Sequence, residues 1–380
     1  MDKNIPYVRQ AFEQLGDVSM VETTQLTNGA VRDADALIVR SETRVGEELL
    51  GGSRVTFVGT ATIGIDHVDT GFLQSRGIAF ASAPGCNSNS VKEYFVAALL
   101  HLSRVHGMQF HGKTMGVVGV GHVGGKVAEV SRALGLDVLE NDPPLARLSG
   151  EKRFIPLDDL MDCDLISLHV PLTRGGTDPT YHLFDRDRFR RLKPGVVFIN
   201  TSRGGVADTE ALKKAILERR ISHSVLDVWE NEPAIDPELL SMSTLGTPHI
   251  AGYSLEGKIN GLVMVRAAAC DHFSLHSHWD PYRQADLPAM NDVEIPAGTL
   301  RLEEMLDHVV KQCYDISLDD AALRLLLNDP PDERSRSFSH LRSNYRVRRE
   351  FSNYAVSLPR KHGRLKDTLA GIGFTNFTIE

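Results

Sequence analysis

The chain has 380 residues, 42% hydrophobic and 24% charged, and carries a formal net charge of −8. That length supports two or three domains with cores of their own. The acidic balance argues against a general nucleic-acid binder, and no apolar run approaches the roughly eighteen residues of a membrane span.

In chain order, Ala34 to Val39 and Val55 to Val58 read as short buried strands. Val91 to Val105 has its apolar residues at helical spacing, on Val91, Phe95, Val96, Leu99 and Leu102. A β–α–β unit follows, with a strand at Met115–Val120, a helix at His122–Leu134 and a strand at Leu136–Glu140. Further strands are expected at 164–168, 196–199, 224–226 and 244–245, and helices at 185–192 and 208–219, the latter capped by Asp208. Strands without polar alternation, interleaved with helices, predict a parallel sheet covered on both faces. His276–Pro296 reads as a linker rich in Pro, Asp and His. Beyond it, Leu302–Tyr314 and Ala321–Leu327 read as helices, and the last thirty residues as two short strands around a helix.

Gly119-Val120-Gly121-His122-Val123-Gly124 fits G-x-G-x-x-G, between a strand and a helix as the mechanism demands. Gly119 permits the tight turn, Gly121 admits a pyrophosphate to the backbone, and Gly124 lets the helix approach the sheet. Asp142 follows the second strand, placed to hold a ribose 2′-hydroxyl. Pro143 and Pro144 come next, where an Arg or Lys would welcome a 2′-phosphate. The expected cofactor is therefore NAD, not NADP.

Three later strings each stand beside an expected strand end: Asn200-Thr201-Ser202-Arg203-Gly204, Asp227 to Pro233 with Glu232, and Thr247-Pro248-His249-Ile250-Ala251-Gly252. They supply the trio that oxidation of a hydroxy acid by hydride loss requires. His249 would take the hydroxyl proton. Glu232 would hold the other ring nitrogen, its charge favouring the protonated ring. Arg203 would fork onto the substrate carboxylate. Asp227 could accept from the nicotinamide carboxamide or ribose, or cap a loop. The four cysteines, Cys86, Cys163, Cys270 and Cys313, form no CxxC pair. Free thiols in a reducing compartment are expected, with no metal site. The opening string has no apolar signal core, so a cytoplasmic protein with no membrane or nucleic-acid partner is expected.

Together with His169-Val170-Pro171-Leu172-Thr173, these strings resemble the D-isomer-specific 2-hydroxyacid dehydrogenases. A narrower resemblance is to the branch acting on 4-phosphoerythronate in pyridoxal phosphate (vitamin B6) biosynthesis. Val39 to Thr43, Phe57 to Gly64, Ala83 to Asn87, Asp142-Pro143-Pro144 and His249 to Lys258 carry it. So do Tyr314-Asp315, Asp319-Asp320-Ala321 and Arg348-Arg349-Glu350 in the tail. The resemblance implies an α/β fold: a Rossmann-type NAD domain (91–253) inserted in a flavodoxin-like substrate domain (1–90 and 254–275). It also implies a C-terminal α+β dimerisation domain (276–380), hence a homodimer. The implied reaction is oxidation of 4-phospho-D-erythronate by NAD to 2-oxo-3-hydroxy-4-phosphobutanoate. It makes Ser41, Thr62 and Tyr253 substrate contacts, and Asp142, Asp227 and Gly252 NAD contacts.

In the family an apolar strand precedes the Asp2-Lys3-Asn4-Ile5-Pro6 string, whereas here Met1 stands directly before it. A chain with that strand upstream is expected to be more stable and more active. A phosphorylated substrate also needs a cation at its far end. Arg40 is one candidate, and Arg346 and Arg348 are others, within the run Arg342, Arg346, Arg348, Arg349. Such a run is usually a solvated face, but in a dimer one of its members could reach the neighbouring site. Two rival readings stand beside this one. They are another enzyme on the same scaffold, such as a phosphoglycerate dehydrogenase, and an NAD(H)-sensing binding protein.

Overall fold

The structure is a computed structural model that describes residues 1–284, 287, 292–295, 301–358 and 363–379. They form two compact units: residues 1–88 with 253–289, and residues 89–252 with 290–380.

In the first unit, three parallel strands lie in sequential order: β1 (Ala36–Val39), β2 (Phe57–Thr60) and β3 (Ala79–Ala81). Both faces of this small sheet are apolar, so both are covered. Leu37, Val39 and Val58 pack with Leu49, Leu50 and Leu73 on one side, and Ile38 and Phe57 pack with Leu262, Val265 and Ala269 on the other. The latter three residues lie on the helix Leu255–Phe273, capped by the Ser254 hydroxyl. On the β1 edge the Asp2 N–H donates to the Ile38 carbonyl at 2.9 Å.

The second unit holds the larger sheet, six parallel strands in the order β5-β4-β6-β7-β8-β9. They are β4 (Thr114–Val118), β5 (Asp137–Asn141), β6 (Leu165–Leu168), β7 (Val196–Asn200), β8 (Ile221–Leu226) and β9 (Leu245–Gly246). β4, β6 and β7 are mostly apolar on both faces, interrupted in β6 by the buried Ser167, because the sheet is buried on both sides. The order reverses beside β4, and in such sheets the crevice beyond the strand ends at that point receives ligands. Asp208 caps the helix Thr209–Leu217 by accepting from the Ala211 N–H at 2.7 Å, as expected from the sequence.

The C-terminal residues belong to the core of this second unit. Leu323, Leu326 and Phe338 are buried in one cluster with Phe184, Phe189 and Phe198. Two expected helices appear, at Leu302–Cys313 and, shifted toward its N-terminus, Ser317–Arg324. The expected strand–helix–strand ending is Ala355–Leu358, Gly363–Ile372 and Asn376–Ile379. Of its two strands, β11 and β12, β11 is central and pairs in parallel with β10 (Val293–Glu294) on one side and β12 on the other. Of the stretch read as a linker, residues 285, 286, 288–291 and 296 lie outside the described residues. Pro281–Gln284 is helical, and β10 also falls within this stretch.

Candidate active site

The glycine loop follows β4 and opens the helix His122–Ala133. Gly119 has φ 85°, and a Cβ on Gly124 would lie 1.8 Å from the Gly119 carbonyl oxygen. Only glycine lets helix and loop meet this closely. A Cβ on Gly121, by contrast, would meet nothing within 4 Å. The loop is therefore tight where it packs and open where a pyrophosphate would come. Asp142 Oδ2 accepts from the Val120 N–H at 2.8 Å, and its Oδ1 accepts from the Leu145 N–H at 2.9 Å. The carboxylate both holds the loop and caps the helix Pro143–Ser149, in which Pro143 and Pro144 take the first positions. These residues fit a dinucleotide: a strand–loop–helix cradle with an acidic residue at the end of the next strand. Behind the loop, burial pushes the His169 imidazole down to about 3, so the ring is neutral. It hydrogen-bonds to the Ser167 hydroxyl at 2.9 Å.

The catalytic strings meet through their backbones. After β7, Asn200 Oδ1 accepts from the Ser202 N–H (3.0 Å) and hydroxyl (2.8 Å), and its Nδ2 donates to the Arg203 carbonyl at 3.0 Å. Gly204 then lies so close to the next string that a Cβ would be 1.9 Å from the Trp229 carbonyl carbon. The Trp229 N–H donates to Glu232 Oε1 at 2.8 Å, and its indole donates to the Thr247 carbonyl at 2.9 Å. Thus the loops bearing Arg203, Glu232 and His249 are tied together. Arg203 is half-buried, with Nη1 donating to the Ser202 carbonyl at 2.7 Å.

Glu232 and His249 form a direct pair: Nδ1–H donates to Oε2 at 2.7 Å. Burial works to raise the Glu232 pKa, but His249, Arg342 and the Trp229 N–H outweigh it and hold it below the usual range. An ionised carboxylate can only accept, so the proton of a neutral His249 sits on Nδ1. Among the described residues Nε2 has no protein partner. His249 itself has φ 56°, an uncommon conformation for a residue with a large side chain. Its loop is over-determined from below by Asp227. That carboxylate accepts from the Thr247 hydroxyl (2.6 Å) and the N–H groups of Ile250 (2.8 Å) and Ala251 (2.9 Å). Asp227 thus holds this loop, with Gly252 directly after it.

In the other unit, Arg40 Nε pairs with Asp2 Oδ2 at 3.1 Å, and Nη2 reaches Glu42 at 3.0 Å and Thr23 at 3.2 Å. The Thr62 hydroxyl lies 2.9 Å from that of Thr60. Lys258 Nζ sits 4.7 Å over the Tyr253 ring, and Ser41 is exposed. In the tail, Arg346 pairs with Asp319. Arg348 is 3% exposed, and its Nη2 donates to the carbonyls of Ala251 (2.6 Å) and Ser90 (3.2 Å). Its Nε and Nη1 are buried with no hydrogen-bond partner among the described residues, so the guanidinium expected to contact substrate is held through Nη2 by main-chain carbonyls. Asp320 and Arg342 carried no assigned role in the sequence. Asp320 had a signal, since its string was part of the family resemblance.

Comparison with known proteins agrees with this geometry. Residues 90–251 match the D-isomer specific 2-hydroxyacid dehydrogenase NAD binding domain. Residues 286–373 match a domain described as of unknown function. The chain is 44% identical to the erythronate-4-phosphate dehydrogenase of Salinibacter ruber over 95% of both chains. It is 43% identical to that of Cellvibrio japonicus over 98% of both. Among solved structures, it is similar to 3-phosphoglycerate dehydrogenase of Entamoeba histolytica with NAD bound. The TM-score is 0.63 at 25% identity, covering 72% of this chain and 92% of that one. It is also similar to D-lactate dehydrogenase of Aquifex aeolicus with NAD and lactic acid. There the TM-score is 0.58 at 26% identity, covering 71% and 92%.

Proposed function

The chain belongs to the erythronate-4-phosphate dehydrogenases, within the D-isomer-specific 2-hydroxyacid dehydrogenases, and from that membership we propose how its own residues act. It is an NAD-dependent oxidoreductase. It oxidises 4-phospho-D-erythronate to 2-oxo-3-hydroxy-4-phosphobutanoate in pyridoxal phosphate biosynthesis.

Bound NAD supplies the acceptor for the hydrogen leaving C2 with its electron pair. Gly119, Gly121 and Gly124 would give it a backbone cradle, and Asp142 and Gly252 would be further contacts. His249 Nε2 takes the hydroxyl proton, and Glu232 fixes the tautomer and favours the imidazolium that forms. Arg203 grips the substrate carboxylate and stabilises the oxygen at C2. Ser41, Thr62 and Tyr253 contact the rest of the substrate. Arg40 and Arg346 are the cations proposed for the phosphate, in exchange for the carboxylates they now hold.

The observation that carries this reading is the 2.7 Å Glu232–His249 pair, set in a loop tied to the Arg203 turn. We further propose a cytoplasmic homodimer. Leu318, Leu325 and Val347, apolar tail residues 58%, 64% and 62% exposed, support a contact there. The test of function is NADH formation by the purified chain with 4-phosphoerythronate, 3-phosphoglycerate and erythronate. Turnover of 3-phosphoglycerate at the higher kcat/KM would replace the proposed substrate.

A further inference from the structure

The C-terminal segment grips the catalytic loop at both ends. Gly246 closes β9, three residues before His249, and its N–H donates to Asp320 Oδ1 at 2.7 Å. Asp320 is itself fixed by Arg324, whose Nε donates to Oδ2 at 2.8 Å. The other two nitrogens of that guanidinium donate to the carbonyls of Leu240 (3.0 Å) and Ser243 (2.8 Å). Two residues beyond His249, the Ala251 carbonyl accepts from Arg348 at 2.6 Å, while the Ala251 N–H is held by Asp227. The Arg348 guanidinium stacks on Tyr314, 4.4 Å from the ring centroid. The Tyr314 hydroxyl donates to the buried Asp319 at 3.0 Å, and Tyr345 donates to the same oxygen at 2.8 Å. A third arm, Arg342, contributes positive charge that lowers the Glu232 pKa.

We propose that this segment, the domain described as of unknown function, acts within its own chain as a clamp on the 246–251 loop. Asp320 and Arg348 are its positioning residues for His249. The physical need is clear. His249 is held at φ 56°, a conformation that costs energy and persists only where its surroundings enforce it. Glycine before the loop and alanine after it offer no side chain that could do so. Both ends are therefore fixed through main-chain groups, by an anion on an N–H and a cation on a carbonyl. Charge-assisted bonds of this kind are about twice as strong as neutral ones. A displacement of about 1 Å at a proton-transfer residue costs on the order of a hundredfold in rate.

The inference rests on His249 being the proton-transfer residue, and the experiment separates the two claims. Arg348→Met, Arg348→Lys, Asp320→Ala and His249→Ala are compared in the full-length protein. The readouts are kcat, KM for NAD, the pH profile of kcat/KM, and sedimentation. Arg348→Met and Asp320→Ala are expected to lower kcat about tenfold to a hundredfold. KM for NAD should move less than about threefold, and the pH profile should be displaced. Arg348→Lys should recover part of the rate. If His249→Ala keeps wild-type turnover, the proton-transfer reading fails. If His249→Ala is inactive but Arg348→Met and Asp320→Ala keep the wild-type kcat and pH profile, the clamp alone is overturned. A loss of rate that merely tracks dissociation in sedimentation also overturns it. Should Arg348→Met not fold, Asp320→Ala, altered at a partly exposed side chain, decides the matter by the same criteria.

Discussion

A histidine takes a proton well only when its tautomer is fixed and the charge it gains is welcome. Glu232 does both, because its pKa is held low and it is ionised at neutral pH. Glu232→Gln should retain some turnover, lower kcat by roughly tenfold or more, and displace the pH profile of kcat/KM, since the charge beside the ring is gone. An unchanged profile would show that the carboxylate only supports the loop. The shift also bears on folding. A depressed carboxyl stabilises the fold above its unfolded value, and that contribution is lost as pH falls through the lower folded value. The Gln variant should therefore lack the corresponding part of the wild-type acid sensitivity. Arg40 allows a second prediction. Arg40→Ala should raise KM for 4-phosphoerythronate much more than for unphosphorylated erythronate. Equal effects would assign Arg40 to its pairs with Asp2 and Glu42 alone. Residue types and spacing pointed to Arg203, Glu232 and His249, whose loops the fold ties together, because each chemical role admits few side chains. They could not foresee the bond of Arg348 to the Ala251 carbonyl, because a run of arginines says nothing of which one turns inward to a distant loop.

At the scale of elements, the glycine loop makes two separable demands, and two substitutions distinguish them. Gly124→Ala places a Cβ against the Gly119 carbonyl, so the helix must shift, and both Tm and NAD affinity should fall. Gly121→Ala meets open space. Tm should stay nearly unchanged while the Kd for NAD rises. Equal Tm losses in the two variants would contradict this division. The start of β6 offers a pH test. Burial works to raise the Asp164 carboxyl, but Lys193, the Thr114 N–H and hydroxyl, and Lys113 outweigh it and bring it to about 2. Its folded pKa lies below the ordinary value of 3.8, so its stabilisation is complete above that value and fades as pH falls toward about 2. The gap in urea midpoint between wild type and Asp164→Asn should therefore narrow from pH 5 to pH 3. A constant gap would exclude the linkage. Apolar runs and helix caps marked most strands and helices of the larger sheet in the sequence. β3 and β10 went unread, since Ala79–Ala81 and Val293–Glu294 are too short to carry a period.

For the whole molecule, the sequence showed that the tail was large and distinctive, but not which core it would join. That depends on Leu323, Leu326 and Phe338 meeting Phe184, Phe189 and Phe198, contacts more than a hundred residues apart in the chain. Local pattern identifies an apolar face without identifying what it covers. The proposed dimer should appear as a two-chain mass in sedimentation, and a single-chain mass at micromolar concentration would remove it. The central claim is that the chain reads a phosphorylated 2-hydroxy acid and passes its proton through His249. The most direct measurement is kcat/KM for 4-phosphoerythronate and for erythronate, by NADH absorbance, in wild type and His249→Ala, with NAD binding followed in parallel. The account requires wild type to prefer the phosphorylated acid and His249→Ala to lose at least about a hundredfold while still binding NAD. Comparable rates on the two acids, or a His249→Ala variant as active as wild type, would contradict it.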